Sequence, residues 1–152
     1  MKISTIEEYG LRCLLRIGRE GERGTLTIPQ ISAAEKLTNH NVAKLLRILR
    51  RGGYIKSIRG QAGGYVLAMA PEKIVIGDVL ALLGGRLFDV GFCDRHAGVE
   101  SVCTNSVECS VRTLWSQLQY AVDSVVNTTT LQDLLPKPTV IPPDGIVVNL
   151  KD

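Results

Sequence analysis

Apolar residues in this chain first recur at steps of three and four: Ile6, Tyr9, Cys13, Leu14 and Ile17. That spacing puts them on one face of a helix. Ser4, with Glu7 three residues on, makes a capping-box pattern at its start, and "GREGERG" breaks it. A second box, Thr27 to Gln30, opens a short helix over "IPQISAAEK". Pro29 fits its first turn, where the backbone N–H has no helical partner. Thr38 caps a third helix, "NHNVAKLLRILRR", with Val42, Leu45, Leu46 and Leu49 in one stripe, and Gly52-Gly53 ends it. The period then changes. "YIKSI" and "YVLAM" are β-branched or aromatic runs joined by "RGQAGG", a hairpin with more than a two-residue turn, closed by Pro71. A helix over "GDVLALLGG" follows, then a polar loop. The longest helical pattern runs from about Ser106 to Asn127, carried by Val111, Leu114, Trp115, Leu118, Val122 and Val125. "LQDLL" adds a last turn. The tail from Pro136, with four prolines and no period, reads as extended or disordered.

Helix, short helix, turn, helix and hairpin is the order of a winged helix-turn-helix, whose third helix enters the major groove. The expected fold is therefore mainly α with a small β-hairpin wing, plus a long dimerisation helix. The division expected is residues 1–70 for the winged helix-turn-helix, 71–133 for a loop and the dimerisation helix, and 134–152 for the tail. The apolar stripe of the long helix steps alternately by three and four, as in a coiled-coil seam. About 20 residues make a helix of roughly 30 Å. Too little chain remains to bury that stripe, so a homodimer is expected, with an ordinary core helix as the alternative.

Composition bounds the class. The chain has 152 residues, 45% of them hydrophobic, enough for one compact domain with a core. No apolar run reaches the length of a membrane span and the start lacks a signal-peptide pattern, so a cytoplasmic protein without a membrane partner is expected. The net charge of +3 hides an asymmetry: residues 1–65 hold 12 Lys/Arg and 5 Asp/Glu, residues 66–152 hold 6 and 10. From Lys36 to Arg59 there are seven cations and no carboxylate. Such a stretch suits a polyanion. Asn39, His40 and Lys44, with Thr38 before them and Arg47 after, sit where side chains reach base edges. Arg59, with Ser57 and Gln61 beside it, sits on a glycine-rich wing thin enough to enter a narrow minor groove. Double-stranded DNA is the expected partner. A solvated basic face is the plainer reading.

The loop brings different chemistry. "CDRHAGVESVCTNSVEC" holds Cys93, Cys103 and Cys109, one thiol too many for a disulfide and one too few for a four-cysteine metal site. Soft thiolates suit an iron–sulfur cluster, 2Fe–2S or 4Fe–4S. Zinc held by these three and His96, a cluster-free thiol switch, and plain packing are the alternatives. Cys13 lies on the apolar stripe of the first helix, where a thiol packs. With no C-x-x-C, no Gly-rich nucleotide loop and no paired acid and base in a recognisable motif, a non-enzymatic protein is expected. A small iron–sulfur oxidoreductase and a scaffold that binds a metabolic enzyme remain as other classes.

"YGLRCLLRI", "NVAKLLRILRRGGYIKSIRGQAGGYVLA" and "PEKIVIGDVL", followed by the cysteine cluster, resemble the winged-helix iron–sulfur transcriptional regulators of the IscR, NsrR and RirA type. The resemblance covers residues 1 to about 133, and the Arg59-Gly-x-x-Gly-Gly-Tyr65 wing is its most specific part. It implies a homodimeric regulator, a repressor type that binds a palindromic operator and senses redox state, nitric oxide or iron. Its cluster ligands map onto Cys93, Cys103 and Cys109. Three departures stand out. The gap between Cys93 and Cys103 is longer than in the best-known members. Arg112 replaces the histidine that the cluster-assembly branch places after the last cysteine. His40 and Ala43 stand where that branch reads its operators, so a different DNA sequence is expected. For the fourth ligand, Glu8 occupies the position where the nitric-oxide branch uses an aspartate, donated by the other subunit. His96, Glu7 or a small exogenous molecule are the alternatives.

Overall fold

The helix-start signals close as hydrogen bonds in the computed structural model, which describes residues 3–21, 24–86, 88–89, 91–97 and 109–136. Helix α1 (Thr5–Glu20) begins at Ser4, whose hydroxyl accepts from Glu7 N while the Glu7 carboxylate accepts from Ser4 N at 2.7 Å. Thr27 and Gln30 cap α2 (Ile28–Glu35) in the same reciprocal way. Thr38 Oγ1 accepts from Asn41 N and starts α3 (Asn39–Arg51). Caps of this kind each contribute about 0.5–2 kcal/mol, so three of them matter in a small domain. The α2–α3 turn passes through Lys36, which takes the left-handed conformation (φ 57°), and Leu37 N donates back to Ser32 O.

Strands β1 (Ile55–Ile58) and β2 (Gly64–Leu67) pair antiparallel, with Ile55 opposite Leu67 and Ile58 opposite Gly64. A 3-10 turn at Pro71–Lys73 leads to α4 (Ile76–Gly84), then come α5 (Phe92–Arg95), α6 (Ser110–Val126) and α7 (Leu131–Leu134). Two single-residue bridges were not expected: Leu26 with Tyr65, and Val75 with Thr130. Helix α6 starts at Ser110 with Cys109 as its N-cap. The start expected near Ser106, and the tail from residue 137, lie outside the described residues.

The core follows from the stripes. Cys13, Leu14 and Ile17 of α1 meet Val42, Leu45, Leu46 and Leu49 of α3, with Ile31, Ile55, Ile74, Ile76, Val79, Leu83 and Leu131 completing one buried cluster. It is continuous across residue 70, because α4 and α7 pack on α1. Helix α6 differs. It packs on α4, and Val111, Leu114, Leu118 and Val125 stay 52%, 50%, 37% and 63% exposed. Among the described residues no helix is long and apolar enough to cross a membrane.

One acid is buried in this frame. Glu35, at the end of α2, is 8% exposed; it accepts from Arg16 Nε at 2.7 Å and Arg12 Nε at 3.0 Å, and Arg12 also donates to its backbone carbonyl at 2.6 Å. Burial pushes its carboxyl pKa up, but the hydrogen bonds and charges of Arg16 and Arg12 outweigh that and hold it below the ordinary value of 4.5. A depressed carboxylate contributes stability that is complete above the unfolded pKa and lost as pH falls through the folded one. Glu35→Gln is therefore expected to lower the thermal midpoint at neutral pH, with a loss of about 1–2 kcal/mol because solvent still reaches both arginines. The gap from wild type should close as pH drops below 4.5. Melting curves across that range check this; a gap that persists in acid would remove the charge from the explanation.

Candidate nucleic-acid interface and thiol site

Burial of the apolar stripe turns the opposite face of α3 to solvent. His40, Lys44 and Arg47 are exposed along it at helical spacing. Arg51, one of the seven cations of the Lys36–Arg59 stretch but not among the expected contacts, lies four residues further, continues the row and is also exposed. Asn39 and Asn41 are exposed in the first turn, and Thr38 is exposed but engaged as the cap. None of these cations forms an ion pair among the described residues. The face can attract phosphates through charge and offer amide and imidazole groups to base edges.

The hairpin leaves α3 through Gly52-Gly53, with Tyr54 N donating to Leu49 O at 3.1 Å. Lys56, Ser57, Arg59 and Gln61 are all exposed on it. Its second strand is tied, near the loop, to the segment before α2: Leu26 N donates to Tyr65 O at 3.1 Å and Tyr65 N to Leu26 O at 2.8 Å.

Cys93 lies on α5 and Cys109 caps α6; both are free thiols and half-buried. Arg112 N donates to Cys109 Sγ at 3.2 Å, so the sulfur caps the N-terminus of α6. Cys103 lies outside the described residues. Phe88 is held against α6 by an unforeseen residue, Gln119. It is 7% exposed, accepts from Phe88 N at 2.8 Å and donates to Asp123 at 2.8 Å, while Arg86 pairs with Asp123. Phe92 lies 6.3 Å from Trp115 of α6 and stacks on His96 at 4.2 Å, and His96 Nδ1 bonds the Phe92 carbonyl at 2.7 Å.

Among the described residues no group of three or more His, Cys, Asp or Glu side chains could hold a metal ion, so Glu8, Cys93 and Cys109 do not form such a group within one chain. Glu8 is exposed in the first turn of α1 and its carboxylate has no hydrogen bond or ion pair among the described residues. Glu7 is committed to the Ser4 cap. Cys13, fully buried, is pushed up to about 11 by burial and by the charge of Glu35, against the opposing pull of Arg12.

The sequence pattern of the Rrf2 family, described as "Iron-dependent Transcriptional regulator", matches residues 3–137. The chain is 34% identical to the HTH-type transcriptional regulator CymR of Bacillus subtilis (strain 168), over 88% of this chain and 89% of that one. It is 33% identical to the HTH-type transcriptional regulator NsrR of Geobacillus kaustophilus (strain HTA426), over 89% and 90%. Among solved structures, that of CymR, described as the global cysteine regulator of B. subtilis, superposes with a TM-score of 0.72 over 88% of this chain and 95% of that one, at 34% identity. The IscR of T. potens superposes at 0.70, with 25% identity over 88% and 85%.

The thiols should separate by reactivity, since the thiolate is the nucleophile. In the reduced native protein at neutral pH, iodoacetamide is expected to label Cys93 and Cys109 well before Cys13, which becomes reactive on unfolding. Peptide mass mapping over time checks the order. Early labelling of Cys13 would show that the α1 thiol is neither buried nor protonated in solution.

Proposed function

The chain belongs to the Rrf2 family of transcriptional regulators, and on that premise we propose that it is a homodimer that reads a palindromic operator with α3 and the wing, under the control of an iron–sulfur cluster held by Cys93, Cys103 and Cys109. The observation that carries the DNA-binding part is the exposed row His40, Lys44, Arg47 and Arg51, without an ion pair among the described residues and backed by the core. Thr38, Asn39, Ser57, Arg59 and Gln61 complete the contact set. The protein works where the DNA is, in the cytoplasm, and does no catalysis.

The dimer reading rests on the uncovered face of α6. A groove of about 1090 Å³ runs beside it, lined by Ile3 and Glu7 at the start of α1, by Ala81 and Gly84 of α4 and by Leu118 and Val122 of α6. A second copy of α6 fits that chemistry, and it would lie beside the exposed Glu8.

The donor set fits an iron–sulfur cluster. Cys93 and Cys109 are unbridged and half-buried, flank the stretch that carries Cys103, and Cys109 caps the N-terminus of α6. Bound there, the cluster would supply a centre that responds to oxidants, nitric oxide or iron supply. Glu8 of the second subunit is the proposed fourth ligand. A carboxylate oxygen is a harder donor than a thiolate and exchanges more readily. The chain's own part is to hold the thiols against α6 through Gln119 and Trp115, and to present Glu8 on the helix that also carries the core of the DNA-binding half.

A second reading, a cluster-free thiol regulator of the same fold, is favoured by the likeness to CymR, described as a global cysteine regulator. Anaerobic purification with iron and acid-labile sulfide analysis separates the two.

For the DNA interface, operator affinity is expected to fall roughly 10³–10⁵-fold between about 50 and 200 mM salt if several phosphates are neutralised. Arg59→Ala should cost about 1–3 kcal/mol. Fluorescence anisotropy measures both; an unchanged affinity for that variant would take the wing out of the contact set.

For the cluster, serine at Cys93, Cys103 or Cys109 should each abolish visible absorbance, whereas Cys13→Ala should keep it. Glu8→Ala should shorten the cluster's lifetime in air. If Glu8→Ala behaves as wild type while His96→Ala loses the chromophore, the ligand is His96 and the carboxylate reading is wrong.

A further inference from the structure

The wing is fastened by a side chain that lies far from it in sequence. Thr25 stands between α1 and α2, two residues before the α2 cap. Its hydroxyl donates to Ala62 O at 2.7 Å and lies 3.2 Å from Gly63 O, inside the loop that carries Arg59 and Gln61. Among the described residues this is the only side-chain hydrogen bond to residues 59–64. The neighbouring backbone repeats the attachment through the Leu26–Tyr65 pair. Gly64 shows how close the approach is. A Cβ there would fall 2.8 Å from Leu26 O and 2.9 Å from Thr25 Cβ, so only glycine lets the two segments meet. At the tip, Gly63 N donates to Gly60 O at 2.9 Å, and a Cβ on Gly63 would lie 2.7 Å from that oxygen.

We infer that Thr25 is a positioning residue for DNA binding: its hydroxyl holds the wing loop at a fixed place beside α2, so that Arg59 and Gln61 meet the DNA already ordered. The two-stranded hairpin is short, and isolated hairpins of this kind are marginal in water. Without the tie, the loop samples positions that cannot touch the duplex while α3 is seated. The apparent Kd is then divided by the fraction of time the wing is in place, which weakens binding. The attachment runs from Thr25 through Leu26 to Thr27, the residue that caps α2, so the wing is registered against the helix-turn-helix and not only against the end of α3.

This inference rests on the proposal that the wing contacts DNA, and the test keeps the two apart. The full chain is used with a labelled duplex selected by the wild-type protein from a randomised pool, at one fixed salt concentration. Thr25→Val keeps the shape of the side chain and removes the donor; Thr25→Ala serves as a second variant, and Thr25→Ser keeps the hydroxyl. Valine and alanine should weaken binding roughly 2- to 12-fold, the worth of one neutral hydrogen bond, and serine should restore wild-type affinity. In an Arg59→Ala background most of the valine effect should vanish, because the wing then has less to deliver. If Thr25→Val weakens binding equally in both backgrounds, the hydroxyl merely supports the fold and the inference fails. If Arg59→Ala weakens binding but neither Thr25→Val nor Thr25→Ala does, the wing reading stands and the inference fails. If Arg59→Ala itself has no effect, the wing reading is what has failed.

Discussion

The packing of α3 against α1 fixes the direction in which the reading helix faces. Val42, Leu45, Leu46 and Leu49 are buried against Cys13, Leu14 and Ile17, and α2, α4 and β1 hold α3 on its other sides. A slip of one residue would turn the helix by roughly 100°. Apolar side chains would then leave the core, and a cation of the His40–Arg51 row would approach it. Burying an unpaired charge costs several kcal/mol, comparable to the net stability of a small domain. The orientation of the polar row is thus set by the core behind it, with no specific contact needed on the outer face.

The Arg12–Glu35–Arg16 cluster adds a second constraint of a different kind. Apolar packing lets helices slide slightly, whereas three hydrogen bonds to one acid fix the end of α2 against α1. The α2–α3 turn follows immediately, at Lys36. A positive charge at Arg12 is therefore useful twice: it lies 5.6 Å over the Tyr9 ring and it anchors the helix-turn-helix. The thiol segment shows the same economy with a neutral group. Buried Gln119 has both ends satisfied, so it holds Phe88 to α6 without leaving an unpaired polar atom.

What could be read from the sequence was whatever leaves a local mark. Caps did, since Ser4 to Glu7, Thr27 to Gln30 and Thr38 are signals three residues long, and each formed as expected. The α3 stripe and the hairpin did too, as did the placing of Cys13 inside the α1 stripe. Pairings of single residues left none. The Leu26–Tyr65 bridge has no period to betray it, and no motif marks Thr25. Nothing local marks Glu35 either, because its partners lie 19 and 23 residues away. Gln119 sat among polar residues of a helix whose apolar face pointed elsewhere. The α6 stripe itself was legible, and its exposure within one chain agrees with the expectation that too little chain remains to bury it.

That uncovered face bears on how the two halves of the molecule can influence each other. Fully burying a side chain such as leucine or valine is worth about 1.5–3 kcal/mol. The four half-exposed residues of α6 together thus leave several kcal/mol unrealised in a single chain. Helix α1 is placed differently: it packs on α2, α3, α4, α7 and β2. Its first turn borders the groove beside α6, and its middle carries Arg12 and Arg16 to Glu35. A shift at that first turn therefore has a short, stiff route to the helix-turn-helix, because α1 is one uninterrupted helix from Thr5 to Glu20. Helix α6 is held more lightly, by α4 and by the contacts of Gln119 and Trp115 with Phe88 and Phe92.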